Sequence, residues 1–237
     1  MRRRALLAIF VVLLLVGAYG AYVVSYPKYP EVDGCVNPFA VTKPVAKIQE
    51  NWSRAHMFFK LATMRDFWKL AKPWDVDYSH VKIVKHTIEY NGEKITMLAV
   101  GIPLKDKKHV IAMYEFSKPV QGVKVRGYIF NVDQGQVKIE AVLTNGRVTP
   151  LSGCQHECST ASDCGPFGRC IPYCCDHDWG CIASCCGDCA FSCGKCAQGD
   201  FENCLECLYC VIVSCPYCAT SCCEEEGTYC DYLSPGP

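Results

Sequence analysis

The residues best suited to chemistry in this chain are thiols. Twenty of its 21 cysteines fall between Cys154 and Cys230. Three C-x-x-x-C-C units stand out: Cys170/Cys174/Cys175, Cys181/Cys185/Cys186 and Cys218/Cys222/Cys223. Cys154/Cys158 and Cys189/Cys193 repeat the spacing of four without the doublet. On a helix that spacing puts two thiols on one face, one turn apart, facing a neighbouring segment rather than each other. The second cysteine of each doublet points elsewhere and can tie a third segment. With Cys164, Cys196, Cys204, Cys207, Cys210, Cys215 and Cys230 added, the pattern predicts short helices stapled by disulfides. One bond closing a ~15-residue loop contributes about 3 kcal/mol in the chain-entropy model.

Thiols also hold metals. Cys204, Cys207 and Cys210 followed by Cys215-Pro216 approach the run that ligates an iron–sulfur cluster. Here, however, four residues separate the third cysteine from the fourth. Cys186/Cys189, Cys193/Cys196 and Cys215/Cys218 have the spacing of zinc half-sites. An exported chain would have to acquire its cluster outside the cell, so disulfides are preferred and no cofactor is expected.

The other half offers little chemistry. His80, His86 and His109 lack metal-ligand spacing, and no nucleophile, phosphate loop or carboxylate pair stands in a catalytic setting. The chain therefore reads as a binding protein and not an enzyme, with no catalytic residue and no nucleic-acid signature.

Export is written at the start. Met1-Arg2-Arg3-Arg4 precedes an apolar run over residues 5–24, long enough for a signal peptide or a membrane anchor. The expected location is extracellular, secreted or anchored by residues 5–24. Residues 27–44 follow the 1–26 signal peptide or membrane anchor as an irregular spacer holding Cys35, the odd thiol, whose open fates are pairing with the downstream set, pairing between chains or staying free.

Between spacer and cysteines the periodicity predicts an α+β domain over 45–150. Val45, Ile48, Trp52, His56, Phe59, Met64, Phe67 and Trp68 recur at helical spacing, predicting an amphipathic helix over 45–71. Alternation then predicts an antiparallel meander of about five strands, with Asn91-Gly92 as a hairpin turn and Asn145-Gly146 opening one more short hairpin. The fold class is thus α+β: one amphipathic helix and a β-meander, then a small disulfide-rich, partly helical domain over 154–230 and a tail over 231–237.

Charge divides at the same boundary. Residues 1–153 hold 22 basic and 12 acidic side chains, or +10; residues 154–237 hold 2 and 12, or −10. Such halves attract each other, and the pull should weaken with salt. The aromatic face around Trp52, Phe59 and Trp68 is the expected grip if it does not.

This layout, an export signal, a middle domain and a cysteine-rich segment beginning at Ser152-Gly153-Cys154, resembles the precursors of halocin C8-like antimicrobial peptides, a bacteriocin family. The resemblance implies cleavage, a C-terminal part acting on a target-cell membrane or surface, and an N-terminal part that binds it and confers immunity. Cleavage is expected after Arg147 or at Ser152-Gly153. The alternatives are an uncleaved, membrane-anchored surface protein and a metal or iron–sulfur protein.

Overall fold

The computed structural model describes residues 35–133, 136–166, 168–200 and 202–232. The export run and most of the spacer lie outside them. Among the described residues no helix is long and apolar enough to cross a membrane.

One antiparallel sheet organises the molecule. Its seven strands lie in sequence order: β1 (Lys43–Glu50), β2 (Lys82–Tyr90), β3 (Glu93–Pro103), β4 (His109–Val120), β5 (Val123–Asp133), β6 (Gln136–Thr144) and β7 (Arg147–Pro150). From β2 to β7 sequential neighbours are joined by short turns that leave no room for a crossover, whereas β1 reaches β2 through the longer connection of residues 51–81. Asn91-Gly92, Gln121-Gly122 and Asn145-Gly146 all have positive φ at both positions, the conformation that matches the twist of paired strands. Asn145 also accepts from the Lys124 and Val125 amides at 2.7 and 2.9 Å, locking its turn to the neighbouring hairpin.

The five expected strands are present, β7 completes the short hairpin expected at Asn145-Gly146, and β1 extends the sheet at the other edge. β1 occupies the first part of the expected helix. Helix α1 runs only over Arg54–Thr63, where the Ser53 side chain accepts from the His56 amide. The error has a physical source: β1 is an edge strand, mostly exposed on both faces, so burial imposed no period of two. Val45 and Ile48 then fell at helical spacing with Trp52 by coincidence.

Strand alternation divides the apolar residues between two faces. On one, Ile102, Ile111 and Met113 pack with Leu61 of α1, Phe67 and Val76. On the other, Met97, Ala99, Ala112, Tyr114 and Phe116 pack with residues from the cysteine-rich segment. The sheet is therefore the middle layer of three, and one apolar core joins the front half to the back.

The back half begins with β8 (Gly168–His177), which pairs antiparallel with β9 (Cys223–Tyr232). Between them run α2 (Trp179–Cys185), α3 (Ala190–Ala197), α4 (Glu202–Ser214) and α5 (Pro216–Ser221). Two C-x-x-x-C-C units thus depart from the expected helix. Cys170–Cys175 lies within β8, and Cys218–Cys223 crosses from α5 into β9. The acidic run Glu224–Glu226 is solvent-exposed within β9. His177 is buried at the end of β8.

Candidate functional site

Ten disulfides join all twenty cysteines of the segment: Cys154–Cys175, Cys158–Cys170, Cys164–Cys230, Cys174–Cys223, Cys181–Cys222, Cys185–Cys218, Cys186–Cys215, Cys189–Cys210, Cys193–Cys207 and Cys196–Cys204. The last seven are nested one inside the next, like the rungs of a hairpin. Spacing explains the inner rungs. Cys204, Cys207 and Cys210 follow one stripe of α4, and Cys196, Cys193 and Cys189 run back along the antiparallel partner, so each thiol meets one opposite. The four cysteines weighed as cluster ligands, Cys204, Cys207, Cys210 and Cys215, therefore face four different partners. Cys158/Cys164/Cys230 and Cys186/Cys189/Cys215 each gather within 4.8 Å, yet all six sulfurs are half-cystines, which lack the thiolate that binds metal. So many disulfides are typical of proteins kept outside the reducing cytosol.

A second feature is the seam between segment and sheet. Leu208, Tyr209, Ile212 and Val213 of α4 bury against β2, β3 and β4. Gly101 makes the approach possible: a Cβ there would lie 2.8 Å from Tyr209 Cε2 and 2.9 Å from Val213 Cγ1. Several polar groups at the seam are paired, as burial favours, although Gln121 Oε1 and Asp231 Oδ1 are buried without a hydrogen bond. Tyr114 donates its hydroxyl to the Ile212 carbonyl at 2.7 Å, and Tyr209 donates to the Gly101 carbonyl at 3.3 Å. Arg126 is 1% exposed and reaches across to the Pro172 carbonyl at 3.2 Å while bonding Tyr128 at 2.9 Å. Burial works against its charge, but Tyr128 and Tyr229, the hydrogen bond to Tyr128 and the Asp231 carboxylate outweigh it, and the net direction of its pKa is upward.

The supposed spacer is part of this seam. Residues 35–42 form a strap over the segment: the Val36 amide donates to the Cys170 carbonyl at 2.8 Å. Phe39 inserts between Tyr114 and Tyr217, with ring centroids 4.9 and 5.7 Å away. Thr42 and Tyr217 share a hydroxyl contact of 3.1 Å. Oppositely charged side chains add little here. Among the described residues, ion pairs cross the seam at Lys47 with Asp188 and at Arg147 with Asp231, the latter at 3.7 Å. Trp52, Phe59 and Trp68 do not touch the segment's core; the α1 layer lies on the opposite face.

The two cleavage candidates differ in setting. Arg147 sits within β7, its neighbours paired to β6. Ser152 and Gly153 are exposed, just beyond the last strand of the sheet and before Cys154. Lying outside the sheet ladder makes the second place the more accessible to a protease, although the Gly153 carbonyl accepts from the Tyr173 hydroxyl at 2.8 Å.

The histidines of the sheet half are occupied locally. His80 bonds Asp77 at 2.8 Å, while Ser79 donates to the other oxygen of that carboxylate at 2.7 Å. The carboxylate thus separates hydroxyl from imidazole, the reverse of a nucleophile–base pair. His109 lies between Asp106 at 2.7 Å and Glu140 at 3.2 Å. His86 is buried and bonded to the Val213 carbonyl. No family model, curated protein or solved structure matches the chain.

Proposed function

We propose that the chain is an exported precursor in which the basic sheet domain binds and restrains an acidic, disulfide-locked peptide with bacteriocin-like, antimicrobial action. One observation carries this reading: every disulfide closes within Cys154–Cys230, while the segment is held to the sheet by an apolar face of α4. A cut at Ser152-Gly153 would leave two separately cross-linked or folded parts in non-covalent contact. The released segment would then present Leu208, Tyr209, Ile212 and Val213 to a target-cell membrane. The same four side chains are masked while the sheet domain stays in place, which is a physical basis for immunity. Non-reducing mass analysis of culture supernatant tests it. The expected species begins near Cys154 with every cysteine oxidised; recovery of only the uncut chain would overturn the proposal.

A second reading has its own support. Phe58, Phe59, Trp68 and Trp74 are exposed on the face opposite the segment, with Trp68 and Trp74 centroids 5.5 Å apart and Lys72 over the Trp74 ring. Aromatic rings beside basic side chains suit the membrane interface. In that reading residues 5–24 anchor an uncleaved surface module that rests on this face. Retention of the intact chain in membranes after a high-salt wash distinguishes the two.

A further inference from the structure

Five sulfurs converge where the strap meets β8. Cys158–Cys170 and Cys164–Cys230 are bonded, and Cys35 is the free thiol among them. Cys35 Sγ lies 2.7 Å from Cys170 Sγ and 3.5 Å from the Ser159 carbonyl oxygen. The neighbouring hydrogen bond from Val36 to the Cys170 carbonyl fixes the strap in register with β8. A thiol held against one end of a disulfide is the arrangement from which exchange proceeds.

We propose that Cys170 is shared between two partners, Cys35 displacing Cys158 by thiol–disulfide exchange. The Cys35 thiol gives up its proton, and the thiolate electron pair forms the new bond to Cys170 Sγ. The Cys158–Cys170 bond breaks with its pair leaving on Cys158, which takes up a proton. One disulfide forms as one breaks, one thiol is present before and after, and no oxidant or reductant is consumed. Because thiolate is the attacking species, the surroundings of Cys35 set the pace. Partial burial pushes its thiol up, and the carboxylates of Glu226 on β9 and Asp163 in the turn before β8 push the same way. Exchange is therefore slow near neutrality and quickens about tenfold per pH unit until the thiol ionises.

The consequence rests on the precursor reading given above. With Cys158–Cys170 formed, a cut at Ser152-Gly153 leaves the sheet domain free to depart. With Cys35–Cys170 formed, the same cut leaves both parts covalently joined, so the choice of partner becomes a latch.

The test uses the uncut, unreduced protein held near pH 6 or near pH 8.5, the ordinary thiol range. Free thiols are then blocked with N-ethylmaleimide at acid pH and the disulfide peptides mapped by mass spectrometry. Expected are two populations, Cys158–Cys170 with blocked Cys35 and Cys35–Cys170 with blocked Cys158, which interconvert faster at the higher pH. Cys158→Ser should yield Cys35–Cys170 and lose the free thiol. Cys35→Ser keeps all ten bonds, so its folding is not in question, and it should show Cys158–Cys170 alone. Full blocking of Cys35 at both pH values, with Cys158–Cys170 the sole form, would overturn the exchange, as would a disulfide from Cys35 to a second chain. Since the uncut chain is used, a missing Cys154 fragment would defeat the precursor reading and leave this result standing.

Discussion

His86 Nε2 donates to the carbonyl oxygen of Val213 across 2.7 Å, joining the centre of β2 to the last turn of α4. Burial lowers the pKa of this imidazole; the hydrogen bond to Val213 opposes the shift and Lys47 adds to it. Burial also takes His177 down to about 4, against a smaller raising effect of Asp176. Both groups are depressed in the folded state, so the unfolded chain binds the extra protons. Stability is complete above about pH 6.5 and falls as acid approaches the folded values, by about 3 kcal/mol for His177 near pH 4. Denaturant melts between these pH values should show that loss; a midpoint that is constant or rises on acidification would contradict it.

Gly101 is the point of closest approach between sheet and segment. Gly101→Val is expected to push Tyr209 and Val213 outward, at a cost of about 1–3 kcal/mol for overpacking. Limited proteolysis should then cut the strap and the Ser152-Gly153 connection faster, while the disulfide map of the segment stays the same. Unchanged thermal stability would show that α4 does not seat on β3.

The opposed charges of the two halves favoured electrostatic attraction, but the seam is apolar. If the chain is cut at Ser152-Gly153 and the parts are titrated together, affinity should change little as salt shortens the Debye length from ~10 Å at 0.1 M to ~3 Å at 1 M. Leu208→Ala or Ile212→Ala should weaken it far more, as expected when buried side chains worth about 2–5 kcal/mol are truncated. A steep salt dependence of the binding isotherm would restore the charge explanation.

Oxidation should follow loop length. Cys196–Cys204 closes over 8 residues and Cys193–Cys207 over 14, whereas Cys164–Cys230 spans 66. Closure entropy rises with length, and each inner rung shortens the loop left for the next. Acid-trapped intermediates of refolding should therefore contain the two inner bonds before the long one; early capture of Cys164–Cys230 would argue against zipping from the inside.

Sequence alone made the meander legible because its strands alternate and its Asn-Gly turns admit positive φ. It could not reveal β1, whose mostly exposed edge leaves no burial pattern, nor the strap, whose Val36 and Phe39 are buried against residues as distant in sequence as Cys170, Tyr114 and Tyr217. Leu205, Leu208, Val211, Ile212 and Val213 make α4 the most apolar helix of the segment, which marks it in the sequence as an element to bury. What it buries against depended on Gly101, a residue that looks unremarkable in a strand until a helix needs the space. Pairing of cysteines was open for a similar reason: spacing sets the face of a helix but not which face lies opposite.

Nested and crossing bonds have a further effect on survival among extracellular proteases. Any single peptide-bond cut between Cys154 and Cys230 is spanned by at least one disulfide, and a cut in the loop between Cys196 and Cys204 is spanned by eight, from Cys196–Cys204 out to Cys164–Cys230. A nick there releases no fragment. The segment can thus be wounded without being dismantled, and the first bond whose loss divides this chain is the one just outside Cys154.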